Sequence, residues 1–234
     1  MIRNKKILVV VPARGGSKGI KLKNLALLNG KPLVTIVGDV VKKLNYVDRA
    51  VVSTDHAEIA SVAKLSGFEV PFMRPDELSG DYVSDIPVLT HALFEMEKID
   101  KTNYDIIIML QPTSPLRTPD HVTNTVIKLI EGGYDSVMTV SETDSKGHPL
   151  KQLIIENDVV TNYDDAAKEI VARQQLNKVF HRNGVAYAMT RDCVVKQKAQ
   201  MGKKASALVI EDPVVNIDTV WDIRLANMIM NDIE

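Results

Sequence analysis

The stretch Lys6-Ile-Leu-Val-Val-Val-Pro-Ala-Arg-Gly-Gly-Ser-Lys-Gly-Ile-Lys-Leu-Lys-Asn24 decides the fold class. Its first part, residues 6–11, is apolar for five positions and rich in β-branched side chains, the composition of a strand covered on both faces in a parallel sheet. The chain then meets Gly15, Gly16 and Gly19, which permit a tight turn and bring backbone N–H groups close to a ligand, while Arg14, Lys18, Lys21 and Lys23 add positive charge. A strand that stops at a small basic loop suits a polyphosphate. A plain strand-to-helix connection with a solvated basic face fits the same residues. Neither common phosphate motif is present, because Gly-Lys-Ser/Thr never occurs and the glycine spacing is not GxGxxG.

Outward from this loop, strand-like and helix-like patterns alternate up to residue 140. The spacing predicts a helix over 32–44, a strand over 49–54 and a helix over 56–66 capped by Gly67. A short strand over 68–72, a helix over 85–98, a buried strand over 105–110, a helix over 119–131 opened by Pro119 and a strand over 134–140 follow. Repeated β-α units of this kind give an α/β fold with a mainly parallel sheet and helices on both faces. Ligands of such sheets bind beyond the carboxyl ends of the strands, where Arg14, Thr54, Asp55 and Gln111 fall. From about 142 to 182 the texture turns polar and reads as an excursion inserted in a single domain of residues 1–234. Residues 184–189 and 207–210 then return as strands, and 220–233 closes the chain as an amphipathic helix.

Composition bounds the function. The chain has 234 residues, 45% hydrophobic and 25% charged, with a formal net charge of -1, so it can bury a full core but lacks the global positive charge of a nucleic-acid binder. The one cysteine, Cys193, rules out an internal disulfide and a thiolate metal cluster and points to a reducing cytoplasm. No apolar run reaches membrane-spanning length, and residues 1–6 lead into the first strand without a signal-like apolar region, so a cytoplasmic protein without membrane contact is expected.

Several constellations carry chemistry. Leu110-Gln-Pro-Thr-Ser-Pro-Leu-Arg117 is a rigid loop whose Gln111 amide, at a strand's carboxyl end, can donate and accept. In Phe72-Met-Arg-Pro-Asp-Glu-Leu78, the proline holds Arg74 in extended backbone. The excursion gathers cations in His148-Pro-Leu-Lys151, Arg173-Gln-Gln175 and His181-Arg-Asn-Gly184, and guanidinium groups there suit an acidic acceptor. In Val215-Asn-Ile-Asp-Thr219, alternation puts Asn216 and Asp218 on one side, where they suit Mg²⁺ or a cap for the helix beginning near 220.

Together the blocks PARGGSKGIKLKN, VSTD, RPDELSGDYVSD, LQPTSPLR, HPLK, RQQL, NGVAY and NIDTVWD resemble the CMP-sialic acid synthetases (CMP-N-acetylneuraminic acid synthetases, or acylneuraminate cytidylyltransferases), in the family's order and over residues 8–225. The resemblance implies a Rossmann-like fold of the nucleotide-diphospho-sugar transferase type, working as a homodimer with residues 142–182 as a small dimerisation lobe. It implies a cytidylyltransferase that joins CTP to a nine-carbon 2-keto acid sugar, with release of pyrophosphate and with Mg²⁺ or Mn²⁺ as cofactor. By similarity, Arg14, Lys23 and Asn24 contact the phosphates and ribose, Ala13 lies near the base, and Arg74, the Val83 backbone and Asp85 complete the nucleotide pocket. Gln111, Lys151, Arg173 and Tyr187 take the acceptor, Asp218 and Asn216 the metal, and Arg14, Lys23 and Arg173 are the catalytic candidates.

HPLK and RQQL favour N-acetylneuraminate as acceptor, with legionaminate, pseudaminate or 3-deoxy-octulosonate as alternatives. Three positions depart from the family pattern: Asn216 stands where relatives carry a second aspartate, Asp85 where serine is common, and His181-Arg182 where an arginine follows the phenylalanine. The first leaves a catalytically weak nucleotide-binding homologue as a reading. The last shifts the contact to the acceptor's carboxylate by one residue.

Overall fold

In the computed structural model, residue 2 and residues 4–233 are described. In chain order the strands are β1 (Ile7–Pro12), β2 (Leu27–Leu28), β3 (Lys31–Pro32), β4 (Arg49–Ser53), β5 (Ile106–Met109), β6 (Ser136–Glu142), β7 (Leu153–Glu156), β8 (Val159–Asn162), β9 (Phe180–Thr190) and β10 (Ala205–Val209). The α-helices are α1 (Leu33–Val41), α2 (Ala57–Leu65), α3 (Asp85–Asp100), α4 (Pro119–Gly132) and α5 (Val220–Ile233). The six-stranded sheet runs β10-β6-β9-β5-β1-β4.

The run that suggested a doubly covered strand is one: Ile7 to Val11 are fully buried. Ile7, Val9 and Val11 face α1, α2 and α4, contacting a cluster that includes Val37, Ile59 and Val126. Leu8 and Val10 point the other way, to Leu89, Leu93 and Met96 of α3. Period-two alternation along one strand thus places helices on both faces. A third cluster joins α5, through Ala226, to Leu28, Leu33, Val215 and Ile217.

The pairs β1·β4, β1·β5 and β6·β10 are parallel, as expected of a mainly parallel sheet. The exception is β9, antiparallel to both β5 and β6 and longer than the 184–189 predicted. The chain leaves β6 at its carboxyl end, makes the excursion and re-enters at that same end, so the next strand must run backwards. The strand expected over 68–72 shrinks to one parallel bridge between Val51 and Glu69. Pro71 has no N–H to continue the ladder, which accounts for the break. Residues 143–179 lie outside the main sheet. β7 and β8 form a separate two-stranded ribbon, and every residue from 151 to 166 is exposed.

Candidate functional site

Beyond the carboxyl end of β1, the basic loop is held by its neighbours. Ala13 N–H donates to Ser53 O at 2.9 Å, Gly15 N–H to Asp55 Oδ1 at 2.8 Å, and Asn24 Nδ2 to Arg14 O at 2.9 Å. Gly19 is required by close approach: a Cβ there would lie 2.5 Å from the Asp218 carbonyl oxygen. The loop is therefore packed against the segment that carries Asp218.

Arg74 is drawn inward instead of lying on the surface. Its backbone N–H donates to Thr54 O at 2.8 Å, its Nε to Ser53 Oγ at 3.1 Å and its Nη2 to Ser53 O, leaving the side chain 5% exposed. Burial pulls its guanidinium down to about 10, a shift opposed by the nearby Asp55 carboxylate, so it remains a cation at neutral pH. Asp85, the first residue of α3, faces the same space. Burial pushes its carboxyl up, and Arg74, Arg182 and a bond from Gln200 oppose the shift.

Three cations of the loop are neutralised within the chain. Asp81 takes Arg14 at 2.8 Å on one oxygen and Lys18 at 2.7 Å on the other, while Lys23 meets Asp218 at 2.8 Å. Lys18, then Arg14, hold the Asp81 carboxyl below the usual range.

The Gln-Pro-Thr-Ser-Pro-Leu-Arg loop is riveted to β9 by Arg117, which is 4% exposed. Its Nε donates to Val185 O at 2.8 Å and its Nη2 to Gly184 O at 3.1 Å and to Gln111 O. Burial lowers this guanidinium to about 9, still protonated at neutral pH. Gly184, with φ +73, leaves room for the loop: a Cβ would stand 2.4 Å from Ser114 Oγ and 2.7 Å from Gln111 Oε1. Thr113 O accepts from Ile217 N at 2.7 Å, which fastens this loop to the Asp218 segment as well.

These loops enclose a cavity of about 520 Å³ beyond the carboxyl ends of β1 and β5. Of the residues singled out in the sequence, Arg14, Lys18, Lys23, Asn24, Arg74, Val83, Asp85, Gln111 and Asp218 line it. Ala13 is fully buried behind the loop and Tyr187 is 4% exposed in the α3-side core, and neither lines the cavity. Lys151 and Arg173 stand exposed on the excursion, away from it. Asp81 also lines it; the sequence does not single it out, because the cations it pairs with, Arg14 and Lys18, lie more than 60 residues away in the chain.

The pair Asn216 and Asp218 is divided. Asn216 lines a second cavity of about 540 Å³ with His181 and Arg182, whereas Asp218 belongs to the first. Among the described residues no group of three or more His, Cys, Asp or Glu could hold a metal ion. Nor does Asp218 cap α5. Thr219 Oγ1 accepts from Asp222 N at 3.3 Å and Asp222 Oδ2 accepts from Thr219 N at 2.6 Å, a reciprocal box that occupies the helix start and leaves the Asp218 side chain to Lys23. His121 is likewise structural, since it completes the box that opens α4 and meets Asp212 at 2.7 Å.

The cytidylyltransferase family profile matches residues 8–227. The chain is 30% identical over 228 residues to the CMP-N,N'-diacetyllegionaminic acid synthase of Legionella pneumophila, covering 96% of each protein. It is also 30% identical over 228 residues, with 96% of each covered, to the pseudaminic acid cytidylyltransferase of Campylobacter jejuni. Among solved structures, a CMP:2-keto-3-deoxy-manno-octonic acid synthetase complexed with CTP superposes with a TM-score of 0.69 at 16% identity, over 98% of this chain and 100% of that one. That likeness concerns the fold.

Proposed function

The chain belongs to the cytidylyltransferase family, and from that premise we propose that it transfers CMP from CTP to the anomeric hydroxyl of a 2-keto acid sugar of the legionaminate or pseudaminate type. One observation carries the reading. Arg14, Lys18, Lys23 and the buried Arg74 converge with Gln111 on a single cavity at the carboxyl ends of β1 and β5. A triphosphate supplies the anion that such a set of cations matches, and it would displace Asp81 from Arg14 and Lys18 and Asp218 from Lys23.

In the proposed reaction the C2 hydroxyl attacks the α-phosphorus, a P–O bond forms, the bond to the β-phosphate oxygen breaks, and the hydroxyl proton is released with pyrophosphate. Negative charge on the phosphate oxygens is met by cations already held in place, Arg74 by Ser53 and Arg14 by its loop. Gln111, fixed from behind by Arg117, faces the cavity as the amide that orients the sugar. Mg²⁺ fits this site as an ion carried largely by the triphosphate, because Asp218 is the one carboxylate of the expected pair that reaches the cavity. Bound there, it would neutralise developing phosphate charge. Lys151 and Arg173 would serve the acceptor across a dimer, from the exposed excursion of the partner.

N-acetylneuraminate is the second acceptor reading. It rests on the HPLK and RQQL blocks, which lie on the excursion and not at the cavity. Full-length likeness to the legionaminate and pseudaminate enzymes supports the first reading over it. Pyrophosphate release with CTP, Mg²⁺ and a panel of these sugars tests the choice: legionaminate or pseudaminate should give the highest kcat/KM, and an N-acetylneuraminate value above both reverses it.

A further inference from the structure

Gln200 lines neither cavity, yet it stands between a residue of each. Its Oε1 accepts from Arg182 Nη1 at 2.9 Å, and its Nε2 donates to Asp85 Oδ2 at 3.4 Å. Arg182 lines the second cavity and Asp85 the first. The backbone that carries Gln200 is anchored. Ala199, one residue earlier, donates its N–H to Cys193 O at 3.3 Å and accepts from Cys193 Sγ at 3.1 Å, and Cys193 is fully buried in the α3-side core.

A primary amide between a guanidinium and a carboxylate has one favourable orientation, carbonyl to the cation and NH₂ to the anion, and charge at either end strengthens the bond at the other. We propose that Gln200 is a positioning residue that couples the two cavities, because the Arg182 guanidinium of the second sets, through this amide, the orientation of the Asp85 carboxylate in the first. The remaining N–H groups of Arg182 suit a carboxylate such as that of a 2-keto acid sugar, so occupancy of the second cavity would be registered at the nucleotide. The inference deepens the proposed function and rests on CTP occupying the first cavity.

Calorimetric titration with CTP alone tests it. Arg182→Ala should weaken CTP binding roughly three- to tenfold, in the lower part of the range for coupled neighbours, although Arg182 lies in the other cavity. The same substitution should have no further effect in an Asp85→Ala or a Gln200→Leu background. Gln200→Glu keeps the bond to Arg182 but sets a like charge against Asp85, so CTP should bind more weakly than to Gln200→Leu. A space-filling role makes the opposite prediction, because Glu is the closer isostere. Unchanged CTP affinity in Arg182→Ala, an equal loss in the Gln200→Leu background, or tighter binding by Gln200→Glu than by Gln200→Leu would overturn the coupling. Failure of the unmodified protein to bind CTP would overturn the nucleotide reading itself, an outcome distinct from a failed relay in a protein that still binds CTP.

Discussion

Arg74 and Arg117 show how the same side chain takes two roles by where its hydrogen bonds go. Arg117 donates to the carbonyls of Val185, Gly184 and Gln111, so Arg117→Met should cost about 3 kcal/mol or more by stranding buried acceptors, read as a lower midpoint in urea unfolding. Arg74 spends its Nε and Nη2 on Ser53 and still lines the cavity, so Arg74→Met should lose CTP affinity as well as stability, which calorimetry separates from the Arg117 variant. Asp85 carries a pH prediction. Its folded carboxyl lies above the ordinary value because burial disfavours the charge, so this group costs stability above its folded pKa and ceases to do so as pH falls through it. Asp85→Asn should therefore raise the melting temperature of the nucleotide-free protein at neutral pH, with the gain fading in acid, while weakening CTP binding. The sequence marked both Arg74 and Asp85 through their block, but the inward turn of Arg74 depends on Ser53, a contact across 21 residues that no local pattern encodes.

At the scale of elements, legibility followed burial. β1, α3 and α4 were readable because their apolar periods answer to a core on a known face, whereas the direction of β9 depends on where the excursion re-enters the sheet. The Asn216-Ile-Asp218 segment alternates as its sequence implies, with Val215 and Ile217 buried, yet alternation says nothing about which cavity each outward residue meets. The start of α5 belongs to Thr219 and Asp222, so Thr219→Ala should destabilise by ~1 kcal/mol in urea unfolding without changing the metal requirement. Asp218→Ala should do the reverse, leaving stability nearly unchanged while raising the Mg²⁺ concentration needed for half-maximal turnover. Gly184→Ala should cost ~1–3 kcal/mol, since it combines a left-handed backbone with contacts to Ser114 and Gln111 too close for a Cβ.

For the whole molecule, the excursion is the part that the protomer alone does not explain. Ile155 is 70% exposed and Val160 55%, side by side on β7 and β8, and Lys151 and Arg173 lie on the same excursion without reaching the cavity. Its separateness is legible from composition, because the polar texture from about 142 to 180 offers no sustained amphipathic helix before residue 165 to dock on the sheet. Its apolar side chains, Leu153, Ile155 and Val159 among them, have no cover within the described residues of the chain. If the excursion builds the acceptor site of a partner copy, Ile155→Asp should shift a dimer to monomer in sedimentation and abolish turnover while sparing CTP binding. The central claim is transfer of the cytidylyl group to the acceptor's own hydroxyl within the cavity of Arg14, Arg74 and Gln111. Turnover with CTP and legionaminate or pseudaminate labelled with ¹⁸O at the C2 hydroxyl, followed by mass spectrometry, tests it most directly: the label should appear in the bridge of the CMP-sugar and not in pyrophosphate, and absence of a CMP-sugar, or one formed without the label, would contradict it.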